Sequence, residues 1–422
     1  MTHVQSSILD HVDPYGSEFQ QNPFPFYTAM REESPAWHLP GTDLYFITRF
    51  DLVAQVLKDT VTFSSAFGAT AAEPPKPHIV EQIDAIKRQG WTRPATMLTV
   101  DPPDHTRYRG TVAKAFNART IAALRPAIEV IVDEELNRFA HEPVVDFKTA
   151  FSTPVPVRVI MHALDLAPGR EDDIKRWSDD ATAGIGRKLP DDRAVECAHG
   201  VVELQRYMNS EVVARQDDLR DDVISALLRA EFPTPDGGVR PLTIEELMGI
   251  FQQLLGAGNE TTTKLFSQML RNLADNHDEW WKLKADPTRA AAVVDEALRL
   301  SSPTQGMFRV VTRDVDLDGA HIPAGARAMV MFAAANRDPA VFPDPDRFDP
   351  DRPNVRSHLA FGAGVHFCIG APLSRLESVI ALEYLVRKWH DFRLTEANTF
   401  EYEPSFMLRG LTNLFVEWEP AH

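Results

Sequence analysis

The feature that most constrains this chain is a helical pattern of unusual length. Thr243 followed three residues later by Glu246 forms a capping box, and behind it Ile244, Leu247, Met248, Phe251, Leu254, Leu255, Leu265, Met269 and Leu273 recur at helical spacing. The pattern predicts one helix of about 33 residues, roughly 50 Å long at 1.5 Å per residue. An element of that length crosses a whole domain, so the rest of the chain has to pack around it. Its middle is defective as a helix. Gly256 and Gly258 each cost about 1 kcal/mol relative to Ala, and the polar run Asn259-Glu260-Thr261-Thr262-Thr263 interrupts the apolar stripe. Such a defect in an otherwise strong helix points to function.

Helical periodicity also dominates Leu52 to Leu57 and Val112 to Ile131, whereas strand-like runs are confined to 36–39, 44–48, 309–317, 327–332 and 406–418. The chain therefore reads as mainly α with small β-sheets. Its 422 residues would by length alone suggest two or three domains. With no low-complexity linker, charge block or internal repeat, a single large domain over 1–422 is the expectation. The 61 acidic against 44 basic residues, net −17, argue against a nucleic-acid partner. The first thirty residues contain no apolar run suited to a signal peptide or membrane anchor. Two cysteines, Cys197 and Cys368, give no disulfide framework, so a cytoplasmic location is expected.

Cys368 stands in Phe361-Gly362-Ala363-Gly364-Val365-His366-Phe367-Cys368-Ile369-Gly370, directly before a helical pattern. A thiolate presented to a metal needs its charge offset, and backbone N–H groups of a glycine turn and a helix N-terminus supply that. The pattern Phe-x-x-Gly-x-x-x-Cys-x-Gly resembles the signature of the cytochrome P-450 family. The resemblance implies the cytochrome P-450 fold and a haem b cofactor (iron protoporphyrin IX) with Cys368 as axial thiolate. It also implies that Phe361 packs against the sulfur and that Gly362, Gly364 and Gly370 leave room.

The same resemblance assigns the other landmarks. Ala257-Gly258-Asn259-Glu260-Thr261 is similar to the family's oxygen-activation motif: Ala257 and Gly258 let the cofactor lie against the helix, Glu260 relays protons, and Thr261 supplies a hydroxyl at the reacting centre. Glu296 and Arg299, at i and i+3, match a buried structural pair that Arg347 of Phe342-Pro343-Asp344-Pro345-Asp346-Arg347-Phe348 would complete. Two haem propionates require cations. His105 and Arg109 in Asp101-Pro102-Pro103-Asp104-His105-Thr106-Arg107-Tyr108-Arg109, with Arg309 and His366, match the family's partners.

In function, the resemblance implies a soluble, bacterial-type monooxygenase. It would use dioxygen and take electrons from a separate ferredoxin and ferredoxin reductase, with Arg107, Lys114, Arg119 and Arg375 as docking cations. The expected substrate pocket comprises the loop between Phe67 and Leu98 together with Leu254, Gly258, Thr304, Met307, Phe308, Phe406 and Met407. It is mostly apolar, suiting a terpenoid, alkyl, aromatic or steroid compound. The alternatives are a peroxide-using haem-thiolate enzyme, against which Glu260 and Thr261 count, and a catalytically silent haem sensor. The acidic cluster Asp172, Asp173, Asp179 and Asp180 reads as a solvated helix face, Cys197 as a buried thiol, and no His-Glu-x-x-His zinc spacing occurs.

Overall fold

The long helix forms where its pattern requires, over Ile244–Asp275. Both halves of its capping box are made. The Thr243 N–H donates to Glu246 Oε2 at 2.8 Å, and the Glu246 N–H donates to Thr243 Oγ1 at 3.3 Å. The Glu246 carboxylate also accepts from Tyr108 Oη and from Arg240 Nη1, each at 2.7 Å. The helix start is thereby tied to two other segments.

The computed structural model describes residues 7–67 and 76–421. The helices that frame the site are, in chain order, α1 (Phe24–Glu33), α2 (Phe50–Lys58), α3 (Asp104–Ala115), α4 (Glu171–Thr182), α5 (Asp191–Gln216), α6 (Ile244–Asp275), α7 (Ala290–Ser301) and α8 (Ala371–Lys388). The main apolar core surrounds α6, which buries Phe251, Leu255, Leu265, Phe266, Met269 and Leu273. Helix α4 approaches closely because Gly256 has no side chain. A Cβ there would stand 3.1 Å from Thr182 Cγ2.

A five-stranded sheet covers one end of the molecule. Its strands β1 (Ala36–His38), β2 (Leu44–Ile47), β3 (Phe63–Ser64), β5 (Met307–Val311) and β6 (Arg327–Val330) lie in the order β1-β2-β6-β5-β3, while β4 (Val144–Asp146) lies elsewhere. Only the β2–β6 pairing is parallel. A three-stranded sheet joins β4 to β7 (Trp389–Leu394) and β8 (Phe415–Pro420) in the order β7-β8-β4.

One strand expectation needs correction, and one strand was not expected. The run expected over 406–418 is a strand only from Phe415. Before it, Phe406 and Met407 are drawn into a separate apolar cluster with Phe19, Tyr27 and Phe308, and Arg409 donates to the Gln20 and Gln21 carbonyls, each at 2.9 Å. Strand β7 has no signal in the sequence, because it continues directly from α8 with no Gly, Pro or Asn to punctuate it.

Candidate active site

The cysteine loop is held from both ends. The Cys368 N–H donates to the Phe361 carbonyl at 2.9 Å and the Gly362 N–H to the Leu359 carbonyl at 2.8 Å. Gly362 (φ +69°) and Gly364 (φ +68°) adopt the left-handed conformation. At Gly364 a Cβ would fall 2.6 Å from the Leu57 carbonyl oxygen at the end of α2, so glycine is required twice over. Gly370 is different: a Cβ there would make ordinary contact with Cys368 Sγ at 3.8 Å. The Phe361 ring lies 4.6 Å from the Arg375 guanidinium. Cys368 is accessible yet set deep in the fold. Burial pushes its thiol up, against the Gly370 N–H, the Arg109 charge, the Ala371 N–H and the Arg375 charge.

Beside this loop four basic side chains converge, and among the described residues none of them forms an ion pair with an acid. His105 and Arg109 share one face of α3, and the His105 ring stands 4.1 Å from the His366 ring. Both ring nitrogens of His105 are buried with no hydrogen-bond partner among the described residues. His366 Nε2 lies 2.9 Å from Ser65 Oγ, and among the described residues Arg309, on β5, donates only to the neighbouring Phe308 carbonyl, at 2.7 Å. Burial pushes Arg309 down to about 10. His366 is driven to about 3 by burial and by the charges of His105 and Arg309. Asp101 opposes these shifts, but it already accepts from the Ser64 hydroxyl and from the Ser65 N–H at 2.8 Å.

On α6, Thr261 Oγ1 donates to the Ala257 carbonyl at 3.1 Å. The hydroxyl proton is thus engaged by the backbone, which leaves the oxygen to accept. Ala257 is exposed along this face, whereas the face Gly258 would project from is covered by Ile160, whose Cγ1 would meet a Cβ at 3.4 Å. The small residue open to the cavity is therefore Ala257. Glu260 Oε1 lies 2.7 Å from Lys264 Nζ, which also bonds Glu403. Glu403 in turn pairs with Lys148 at 2.5 Å, completing a ladder from a partly exposed lysine to Glu260. Asp179, read as a solvated residue, also belongs here. Burial pushes its carboxyl up despite Lys175, and the charges of Glu260 and Glu403 push the same way. Its neighbour Asp180 is buried and pairs with Arg193 at 2.6 Å.

The structural pair on α7 is fully enclosed. Arg299 Nε and Nη2 donate to Glu296 Oε2 and Oε1, both at 2.7 Å. The arginine that completes it is Arg352, whose Nε reaches Glu296 Oε1 at 3.1 Å, and not Arg347. Asp344 (φ +47°) begins a turn that leaves the Arg347 side chain 67% exposed. The Arg347 carbonyl points inward instead and accepts from Arg299 Nη2 at 3.0 Å and Arg352 Nη2 at 2.9 Å.

Of the expected pocket residues, Thr304 and Met307 are partly exposed, while Leu254, Phe308, Phe406 and Met407 are buried in apolar packing. Part of the expected lid, 68–75, lies outside the described residues. Among the docking cations, Lys114 and Arg119 are exposed, whereas Arg107 is paired with Asp104 and Arg375 with Asp295.

Residues 288–411 match the cytochrome P-450 family model. Cytochrome P-450 107B1 of Saccharopolyspora erythraea is 35% identical over 411 residues, covering 95% of this chain and 96% of the relative. The chain belongs to the cytochrome P-450 family. Among solved structures, cytochrome P-450 CYP109Q5 from Chondromyces apiculatus superposes with a TM-score of 0.85 at 33% identity, covering 98% of this chain and 100% of the other. CYP109E1 from Bacillus megaterium, in complex with testosterone, does so with a TM-score of 0.80 at 30% identity, covering 94% and 99%.

Membership makes this P-450 a haem-thiolate monooxygenase acting on apolar substrates, and implies haem b with a cysteine ligand. The residues present fit that group. Two arginines and two imidazoles faced only by Asp101, itself bonded to Ser64 and Ser65, and including a histidine whose two nitrogens have no partner among the described residues, would be a costly arrangement unless a doubly acidic group completed it. Three residues of this P-450 site escaped sequence reasoning: Arg352, Lys264 and Glu403. Arg352 and Glu403 act on residues far away in the chain, which no local spacing signals, whereas the i, i+4 spacing of Lys264 to Glu260 was a signal left unread.

Proposed function

We propose that this P-450, a single domain over 1–422, hydroxylates an apolar small molecule of terpenoid, alkyl, aromatic or steroid type, with Cys368 as haem ligand. His105, Arg109, Arg309 and His366 would hold the propionates. The observation that carries the reading is this basic cradle, which among the described residues makes no ion pair with an acid, beside an accessible Cys368. When bound, haem supplies reductive activation of dioxygen, with one oxygen atom entering the substrate and the other leaving as water.

The chain's own residues divide the remaining work. Phe361 and Gly364 fix the loop that presents the Cys368 sulfur. Ala257 keeps the α6 surface low where the cofactor would lie, and the Thr261 oxygen accepts a hydrogen bond at the reacting centre. Glu260 takes protons passed inward along Lys148, Glu403 and Lys264. Glu296, Arg299 and Arg352 hold the segment that precedes the cysteine loop. Electrons would come from a ferredoxin and its reductase, docking near exposed Lys114 and Arg119 and the exposed apolar residues Val365 and Phe367 of the loop. The testosterone complex of the Bacillus megaterium neighbour supports a steroid-sized substrate.

The test is turnover of the holoenzyme with a surrogate ferredoxin system, isotopically labelled dioxygen and a panel of apolar compounds. One labelled oxygen atom in the product, with reductant consumed, is expected. Product formed only with added hydrogen peroxide would favour the peroxide-using alternative. Absence of substrate-dependent reductant consumption across the panel would favour the sensor.

A further inference from the structure

Asp295 and Glu296 are adjacent on α7, yet they serve different parts of the protein. Glu296 is engaged by Arg299 and Arg352, while Asp295 turns towards the cysteine loop. The Asp295 carboxylate is buried and gathers three basic side chains. Its Oδ1 accepts from Arg375 Nε on α8 at 2.7 Å and lies 3.3 Å from His358 Nε2, and its Oδ2 lies 3.5 Å from Nε of the well-exposed Arg356. The His358 ring is buried, and its bonds assign its roles. Its Nδ1 accepts the Ala360 N–H at 3.2 Å, so the ring proton stands on Nε2 and faces Asp295. Burial works against the Asp295 charge, but His358 and Arg375 outweigh it and hold the carboxyl below the usual range.

Both bonds lead to Phe361. Through His358 the carboxylate fixes Ala360, the residue before it, and through Arg375 it sets a guanidinium 4.6 Å from the Phe361 ring. The Phe361 carbonyl in turn accepts the Cys368 N–H at 2.9 Å. The Arg375 charge reaches the Cys368 sulfur and favours its anionic form, and among the described residues Arg375 makes its one ion pair with Asp295. A cation beside a thiolate draws electron density from its metal bond, and a carboxylate bonded to that cation gives part of it back. We propose that Asp295 is a positioning residue for the haem thiolate. It pins Arg375 against Phe361 and offsets the Arg375 charge, which keeps the sulfur electron-rich and the iron hard to reduce. The inference rests on the reading of Cys368 as the haem ligand.

The experiment is a potentiometric titration of the substrate-free holoenzyme. Asp295→Asn keeps the acceptor oxygen and removes the charge, so Arg375 acts unopposed. The ferrous-to-ferric ratio at a fixed potential should rise about 5-fold, a shift of about 40 mV upwards. Arg375→Gln removes the cation and should move the ratio the opposite way by a similar factor. The double variant should return close to wild type, because the two charges cancel. Loosened packing alone would shift both single variants in one direction. Shifts of the same sign, no shift in either single variant, or a double variant no closer to wild type than the singles would overturn the assignment. Should Asp295→Asn fail to load haem, Arg375→Gln decides alone, by the fall it must show. The reduced carbon-monoxide spectrum judges the ligand reading separately. A band without the red shift in the wild type sinks that reading, whereas a normal band with unmoved potentials sinks only the role of Asp295.

Discussion

Lys264 Nζ lies 2.7 Å from Glu260 Oε1, one turn along α6, and the same ammonium bonds Glu403 from the far end of the chain. Burial works against the Lys264 charge, but the two carboxylates hold its pKa above the ordinary value. Lys264 is 3% exposed, so removing it strands Glu260 in a water-poor setting and leaves Glu403 with Lys148 alone. Lys264→Met is expected to destabilise the fold by about 3 kcal/mol in urea unfolding, and Glu403→Gln by less, because Lys264 keeps Glu260. A loss within experimental error for Lys264→Met would show the ladder to be slack.

The thiolate assignment makes a spectroscopic prediction. Cys368→Ser should eliminate the red-shifted Soret band of the reduced carbon-monoxide complex, because that band requires sulfur opposite the carbonyl. Cys197→Ser should keep it, since Cys197 is buried on α5, away from the loop. The optical spectrum of each purified variant decides the matter.

Arg347 and Arg352 are five residues apart and should behave oppositely. Arg352→Ala leaves one Glu296 oxygen short of a buried charged donor and should cost about 3 kcal/mol, with a lower share of haem-loaded protein. The exposed Arg347 side chain, 3.8 Å from Asp349, should cost under about 0.5 kcal/mol when cut to Ala. Thermal unfolding of the two variants side by side is the check.

Thr261 and Glu260 should fail in different ways. Thr261→Ala should still consume reductant and oxygen but release most of the oxygen as hydrogen peroxide. Glu260→Gln should slow the whole cycle by about 100-fold, because proton supply becomes limiting. Turnover rate and product formed per electron pair, measured together, separate the two.

The start of α6 carries a pH prediction. Burial raises the Glu246 carboxyl, but hydrogen bonds from Arg240, the Thr243 N–H and Tyr108 outweigh it and hold the group down at about 2, against an ordinary 4.5. A depressed acid contributes stability that is full above pH 4.5 and is lost as pH falls through 2. Allowing for the partly exposed Arg240, the contribution at neutral pH is about 2 kcal/mol. The stability gap between wild type and Glu246→Gln should therefore narrow between pH 4.5 and 2.

What could be read from the chain was local. The bounds of α6 followed from a capping box and an apolar stripe, both contained in the helix itself, and the glycine spacing around Cys368 marked a loop whose backbone needs left-handed turns at Gly362 and Gly364. The misreadings involved long-range or conformational facts. Whether Arg347 or Arg352 turns inward depends on the left-handed Asp344, which composition does not reveal. The second partner of Lys264, Glu403, lies 139 residues away. Asp179 looked solvated because its helix is rich in acids, and only the packing of α4 against Gly256 brings it towards Glu260.

Helix α6 also sets a rule about insertions. Its first turn is bolted down by Tyr108 and Arg240, its middle is gripped by Thr96 and Thr182, and Lys264 is moored to Glu403 beyond. Each added residue advances a helix by about 100°. One residue inserted between Glu246 and Ala257 would turn Ala257, Thr261 and Lys264 together by about 100° relative to the first turn, so that keeping the Tyr108 and Arg240 anchor swings the site residues out of phase and unmoors Lys264. Lengthening a surface loop of this protein is a minor change, whereas a single codon gained in this helix would silence the enzyme while leaving every functional side chain present.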